Sequence, residues 1–208
     1  MYKTIVFDLG GVLVDFNPRT FLLDRFCNAT IEKRVYDLTF GSEEWLEMDA
    51  GNLTRLQGSN RMLARAEETG YTYEVQCVLD DWMRSLNTKT QTVEIVRRLR
   101  NMGFRLYYLS NLAEDVYDYL KDREFFSLFE GGLTSYSVHI NKPDPQIYQI
   151  LMERYGIDPA EAIFVDDSLP NVIAAEKLGF SGIHFESPAK LISGLNARDI
   201  GLKEPSRW

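Results

Sequence analysis

Four short apolar runs, rich in β-branched and aromatic residues and free of polar alternation, constrain the fold of this 208-residue chain more than any other feature. This composition is typical of strands buried on both faces of a parallel sheet. The runs cover residues 4–7, 105–109, 162–165 and 182–185, with a weaker fifth at 131–134. Segments with helical periodicity separate the later runs, at 92–102, 143–155 and 170–178. Alternating strands and helices predict a doubly wound α/β sheet.

The segment between the first and second strands breaks this alternation. Residues 17–86 show helical periodicity and no convincing strand. Apolar residues at helical spacing predict one helix near Phe21 and another running from Val75 to Leu86. We therefore expect a catalytic core made of residues 1–16 and 87–208, with residues 17–86 inserted as a helical cap.

Composition excludes several classes of partner. The net charge is −8, and no run of lysine and arginine is present, which argues against nucleic acid or an anionic membrane as the main partner. The chain shows neither a signal-peptide pattern nor a stretch of about 18 uncharged apolar residues. Two distant cysteines, Cys27 and Cys77, are interpreted as buried thiols in a reducing compartment. We expect a cytoplasmic protein; its oligomeric state is not predicted.

Polar residues follow the predicted strands at the points where they end. Ligands of an open α/β sheet bind beyond the carboxyl ends of the strands, so these residues are expected to meet. Each of them alone is more often a turn former, a helix cap or a surface lysine. The set comprises Asp8, Ser110, Asn111, Lys142, Asp166 and Asp167. Three carboxylates, one cation and a hydroxyl–amide pair at one edge are what phosphoryl transfer through an aspartyl-phosphate requires.

The physical roles within this set are complementary. Asp8 is the candidate nucleophile, and its approach to a phosphate dianion is repelled unless a hard cation offsets the charge. Asp8 with Asp166 and Asp167 supplies oxygen ligands that favour Mg²⁺. Ser110 and Asn111 are placed to donate hydrogen bonds to phosphoryl oxygens. Lys142 would add a fixed positive charge beside them.

Four stretches of the sequence together resemble the motifs of the haloacid dehalogenase-like hydrolase superfamily. In chain order they are FDLGGVL, YLSN, KPDPQIY and FVDDSLPNV. The resemblance spans nearly the whole chain and implies a Rossmann-like core with helices on both faces, a helical cap after the first motif, and the roles just given to the six polar residues. The subgroup it resembles most is the bacterial phosphatases of sugar phosphates such as glucose 1-phosphate.

Gly10 departs from the pattern of this superfamily. Most of its phosphatases carry aspartate two residues after the nucleophile, where the backbone carbonyl binds the metal and the side chain serves as general acid and base. The Gly10 carbonyl can still bind Mg²⁺, but the acid is missing, and a positioned general acid is typically worth ~10²–10⁴-fold. A leaving group more acidic than a simple alcohol, such as an anomeric hydroxyl, would need less protonation. Alternatively, another group, either a side chain (Asp15, Glu43 and Glu44 are the candidates) or a bound water, replaces the acid, or the chain is a weak phosphate-binding relative.

The leading hypothesis is a Mg²⁺-dependent phosphatase of small phosphorylated metabolites, such as hexose 1-phosphates. The enzymatic alternative is a 2-haloacid dehalogenase, to which the paired acids Asp166 and Asp167 would bring no advantage. Glu44 and Trp45, in the cap, are expected to influence substrate choice, although Trp45 also suits a core position. His139 is interpreted as a surface or packing residue.

Overall fold

A computed structural model describes residues 1–202 and contains a five-stranded parallel sheet in the order β3-β2-β1-β4-β5. The strands are β1 (Thr4–Phe7), β2 (Arg105–Ser110), β3 (Gly131–Thr134), β4 (Ala162–Asp166) and β5 (Ser181–His184). All five lie within one residue of their predicted bounds. The predicted α/β fold with a parallel sheet is confirmed.

Helices cover both faces of this sheet, and alternate residues of each strand supply the two cores. Ile5 and Phe7 of β1 belong to one apolar cluster, whereas Val6 between them belongs to the other. The helices of the core are α6 (Thr90–Asn101), α7 (Glu114–Leu120), α8 (Pro145–Tyr155), α9 (Leu169–Lys177) and α10 (Pro188–Asn196). This alternation explains why the strand sequences are apolar throughout.

The segment between β1 and α6 contains only helices and the loops that join them. It contains α1 (Pro18–Phe26), α2 (Ala29–Leu38), α3 (Glu43–Asp49), α4 (Arg55–Thr69) and α5 (Thr72–Asp81), which we call the helical insert, together with a short 3₁₀ helix, Trp82–Ser85. The predicted single helix up to Leu86 is wrong at its end. Its last turn narrows to a 3₁₀ helix, a common way for a helix to end.

The expectation of two buried thiols needs correction. Cys27 is exposed and follows the last residue of α1 in the left-handed region (φ 49°), and Cys77 is only partly buried, so the interpretation of both as buried thiols is wrong. Asp158 caps only a single 3₁₀ turn, Pro159–Glu161, because β4 begins at the next residue. Among residues 1–202, no helix has the length and apolar character needed to cross a membrane.

The order of the strands fixes where a ligand can bind. The chain runs from β1 outward through β2 and β3, then returns to β4 on the opposite side of β1. The direction of winding therefore reverses between β1 and β4. A crevice opens at the carboxyl ends of the strands beside such a switch point.

Candidate active site

Three carboxylates converge at this switch point. Asp8 directly follows β1, Asp166 ends β4, and Asp167 is the next residue. One oxygen atom of each lies within 4.8 Å of the others. Asp166 is completely buried and Asp8 nearly so, whereas Asp167 is exposed. The sheet thus brings together the three acids that the sequence analysis selected.

Lys142 lies at the centre of this cluster. Its side chain is fully buried, and its Nζ lies 2.6 Å from Asp166 Oδ2 and 3.0 Å from Asp8 Oδ1. A third hydrogen bond, of 2.8 Å, goes to the carbonyl oxygen of Leu109. These three partners surround the ammonium group. The cation therefore has one fixed position between the two buried carboxylates.

The ionisation of these groups reflects burial and mutual repulsion. Burial raises the pKa of Asp8 to about 7; Lys142 acts to lower the pKa, while Asp166 and Asp167 raise it further. Burial also raises the pKa of Asp167, again with help from Asp166. Burial alone would lower the pKa of Lys142, but Asp166 and Asp8 outweigh it and raise the pKa. One lysine therefore does not balance the three carboxylates.

Neighbouring residues hold the acids in place. The Asn171 amide donates to both oxygens of Asp166, each at 3.1 Å, and the Ser168 backbone N–H donates to its Oδ1 at 2.8 Å. The Leu9 backbone N–H donates to Asp8 Oδ1 at 2.7 Å. Asn171 belongs to the fourth motif, but its contact with Asp166 was not foreseen.

The second motif lies on the opposite side of Asp8. Ser110 is buried at the end of β2, and its side chain acts on Asp8 by hydrogen bonding that lowers the pKa of the carboxyl group. The Asn111 amide donates to the Lys142 carbonyl oxygen at 2.9 Å and accepts from the Lys142 backbone N–H at 2.7 Å. Asn111 therefore positions the lysine loop as well as facing the site.

The two glycines after Asp8 differ in what surrounds them. Gly11 has φ +70°, and a Cβ there would lie 1.9 Å from Asp167 Oδ2. Glycine is needed at this position because the Asp167 carboxylate packs against the bare backbone. At Gly10 a Cβ would come no closer than 3.8 Å to any atom, so its missing side chain is not imposed by lack of space.

Two cavities flank the acids. An apolar pocket of ≈ 50 Å³ lies between the sheet edge and the helical insert; Gly10, Ser110 and Asn111 line it from the core. Trp45, Asp49, Trp82 and Leu86 line it from residues 17–86. On the other side of Gly11, an open cleft of ≈ 580 Å³ is lined by polar residues that include Asp15, Lys89 and Asp167.

The residues predicted to select substrate occupy different places. Trp45 is 5% exposed and packs in an aromatic cluster with Phe40 (4.6 Å between ring centroids) and Trp82 (4.8 Å), yet it also lines the apolar pocket. Glu44 does not line this pocket; its carboxylate pairs with Arg65 at 2.7 Å. His139 is exposed, and its Nδ1 lies 3.0 Å from the Ala50 carbonyl oxygen.

Known proteins resemble this chain in architecture and, at 25% identity, in sequence. A sesquiterpene phosphatase of Aspergillus oryzae is 25% identical over 184 residues, covering 88% of this chain and 89% of the relative. A D-ribitol-5-phosphate phosphatase of Bacteroides thetaiotaomicron is 25% identical, covering 91% of this chain and 94% of the relative. A solved structure of a Bacteroides thetaiotaomicron enzyme in complex with magnesium and inorganic phosphate has a TM-score of 0.67 and 25% identity, covering 89% of this chain and 95% of that one.

The family model for haloacid dehalogenase-like hydrolases matches residues 2–179, which include β1, the helical insert, Lys142 and both acids at the end of β4. The match covers most of the chain and agrees with the arrangement of its site. The chain therefore belongs to the haloacid dehalogenase-like hydrolase family, whose related members include phosphatases.

Proposed function

We propose that this protein is a Mg²⁺-dependent phosphatase that hydrolyses small phosphate monoesters through a phosphorylated Asp8. The observation that carries the proposal is the cluster of Asp8, Asp166 and Asp167 within 4.8 Å, combined with the fully buried Lys142. A 2-haloacid dehalogenase would need no such concentration of acids around its nucleophile. The relatives named as phosphatases favour the same choice.

The donor set fits Mg²⁺. All three side chains offer hard oxygen atoms, and their combined charge exceeds that of Lys142. Burial raises the pKa of Asp8 to about 7, and the charges of Asp166 and Asp167 add to this effect. Asp8, Asp166 and Asp167, with the Gly10 backbone carbonyl, would hold the ion. When bound, Mg²⁺ would neutralise excess negative charge on the carboxylates and on the phosphoryl group.

The chain's own residues supply the remaining chemistry. One oxygen of Asp8 attacks phosphorus, and the ester oxygen leaves on the opposite side because attacking and leaving groups lie in line. Lys142 and Ser110, both in contact with Asp8, would stabilise the transferring phosphoryl oxygens. Since Asp8 lies at the end of β1, the alcohol portion departs toward the helical insert. Residues 17–86 would then act as a cap over the core of residues 1–16 and 87–208.

Two substrate classes fit different observations. Hexose 1-phosphates suit the missing acid at Gly10, because an anomeric hydroxyl leaves more easily than a simple alcohol. Phosphates of apolar alcohols suit the pocket, whose wall is largely aromatic and aliphatic and contains Phe16, Trp45, Trp82 and Leu112. The related sesquiterpene phosphatase favours the second class, and the D-ribitol-5-phosphate phosphatase favours small polyols. A cytoplasmic location remains a prediction.

Phosphate release tests the proposal directly. We expect release from at least one monoester with Mg²⁺, none with EDTA, and none from the Asp8→Asn variant. Calorimetric titration should show Mg²⁺ binding that weakens strongly in an Asp167→Asn variant. An Asp80→Asn variant, which changes an exposed aspartate of the insert, should behave as wild type. Absence of release from any ester would refute the phosphatase function, and release by the Asp8→Asn variant would refute the mechanism.

The substrate panel should pair hexose 1-phosphates and 6-phosphates with alkyl and prenyl phosphates of increasing length. Faster turnover of the 1-phosphate would support the leaving-group explanation of Gly10. A rate that rises with the length of the apolar alcohol would instead support the pocket as the determinant. Faster turnover of the 6-phosphate than of the 1-phosphate would contradict the leaving-group explanation.

A further inference from the structure

Loss of the acid at Gly10 leaves the departing oxygen without an obvious proton donor. None of the three replacements suggested by the sequence lines the apolar pocket. Glu43 is exposed, Glu44 pairs with Arg65 in the insert, and Asp15 lines the open cleft, where Lys89 lies 3.5 Å away. A donor must reach the insert side of the phosphoryl site, where the alcohol leaves.

We propose that Asp49, contributed by the helical insert, is the general acid and base of this active site. The inference rests on the proposed phosphatase function. Asp49 lines the same pocket as Gly10, Ser110 and Asn111, the residues expected to bind the metal or the phosphoryl group. Among the residues lining this pocket, Asp49 alone carries a carboxyl group. It therefore faces the region where the in-line geometry puts the leaving oxygen.

Contacts with the core hold the end of α3 at this position. The Ser135 hydroxyl donates to the Asp49 carbonyl oxygen, and it accepts the Leu112 backbone N–H at 3.0 Å. One turn earlier, the Asn141 amide donates to the Leu46 carbonyl oxygen at 2.8 Å. Although Asp49 belongs to the insert, these bonds fix its backbone relative to the second and third motifs. A catalytic group needs such fixed support.

The surroundings of Asp49 suit a carboxyl group that gives up and regains a proton near neutral pH. Burial raises its pKa to about 7; Arg55 opposes this, as do hydrogen bonds from the Ala113 backbone and the Trp45 side chain, while Asp115 raises the pKa further. Its place at the carboxyl end of α3 also disfavours the charged form. Arg55 can stabilise the ionised form, because its Nη1 is buried without a hydrogen-bond partner among residues 1–202.

The resulting cycle balances protons at each step. In the first step Asp8 forms a bond to phosphorus, the bond from phosphorus to the ester oxygen breaks, and protonated Asp49 transfers its proton to that oxygen. In the second step ionised Asp49 takes a proton from water, the water oxygen forms a bond to phosphorus, the bond between Asp8 and phosphorus breaks, and inorganic phosphate leaves. Asp49 is then protonated again.

Leaving-group dependence tests this assignment. In single-turnover experiments, an Asp49→Asn variant should phosphorylate Asp8 from an alkyl phosphate ~10²–10⁴-fold more slowly than wild type. With a nitrophenyl phosphate, whose leaving group needs no proton, the same step should be nearly unchanged, and the phosphorylated enzyme should then accumulate because the base is lost. The wild-type rate with the alkyl ester should fall as pH rises through about 7, and the variant should lack this fall.

Two further variants separate failure of this proposal from failure of the phosphatase function. Asp80→Asn, the same chemical change at an exposed insert position, should leave both rates unaltered. Adding Gly10→Asp to Asp49→Asn should restore part of the alkyl-phosphate rate, because a Cβ at position 10 would meet no atom closer than 3.8 Å. Equal slowing with both esters would overturn the role of Asp49. No turnover of any ester by wild type would instead overturn the phosphatase function.

Discussion

Replacing Gly11 with alanine should damage the metal site more than it damages the fold. A non-glycine residue in the left-handed region costs about 1–3 kcal/mol, and Gly11 has φ +70°. In addition, Asp167 Oδ2 would have to move from 1.9 Å to at least about 3.4 Å from the new Cβ. A displacement of about 1 Å in a catalytic constellation can cost ~10²-fold in rate. We therefore expect modest destabilisation with a ~10²-fold loss of activity and weaker Mg²⁺ binding.

The control for this experiment is Gly70→Ala. Gly70 has φ +78° at the end of α4, and no atom lies within 4 Å of a Cβ placed there, so this variant carries the backbone strain alone. Urea denaturation gives the free energy of unfolding, and calorimetry gives Mg²⁺ affinity. We expect similar destabilisation for both variants, with loss of affinity and activity only for Gly11→Ala. Unaltered Mg²⁺ affinity in Gly11→Ala would refute the contribution of the Asp167 carboxylate to metal binding.

Three further changes test the electrostatics of the site. Lys142→Met should lower the free energy of unfolding by about 3–5 kcal/mol at pH 8, because it leaves the buried carboxylates of Asp8 and Asp166 unpaired. Urea denaturation measures this change, and an unchanged free energy of unfolding would contradict the charge balance described above. The pKa of Asp49 is raised from 3.8 to about 7, so the folded state retains a proton that the unfolded state releases, and wild-type stability should fall as pH rises through that window. Asp49→Asn should reduce this fall by on the order of 2 kcal/mol between pH 4 and pH 8, after allowance for partial solvent exposure, while the raised pKa values of Asp8 and Asp167 preserve the remainder. Identical pH dependence in the variant and the wild type would contradict this prediction. Asp115→Asn should lower the free energy of unfolding by less than ~1 kcal/mol, because the ion pair of Asp115 with Arg55 is partly exposed. Since Asp115 raises the pKa of Asp49, the variant should show the fall in the alkyl-phosphate rate at lower pH. A shift of this fall to higher pH would refute the opposing effects of Asp115 and Arg55 on Asp49.

The sheet was predictable because its strands are buried on both faces. A fully apolar run of four to six residues flanked by helical periodicity has few other interpretations, and even the weaker run at Gly131–Thr134 forms a strand. The convergence of Asp8 and Asp166 follows from the same prediction, since parallel strands end at one edge. The spacing of apolar residues does not reveal whether the last turn of a helix is α-helical or 3₁₀, as the 3₁₀ segment at Trp82–Ser85 illustrates.

Asp49 shows why the rest of the site escaped sequence reasoning. Nothing in its local sequence distinguishes it from Glu43, Glu44 or Glu47 on the same short helix. Its position depends on Ser135, which is 86 residues away and holds the end of α3 against the core. The acid expected beside the nucleophile on the first loop is thus replaced by one whose location only tertiary packing defines. If this is correct, opening the insert would remove the proton donor together with the pocket wall, so that protonation of the leaving group is coupled to closure over the substrate.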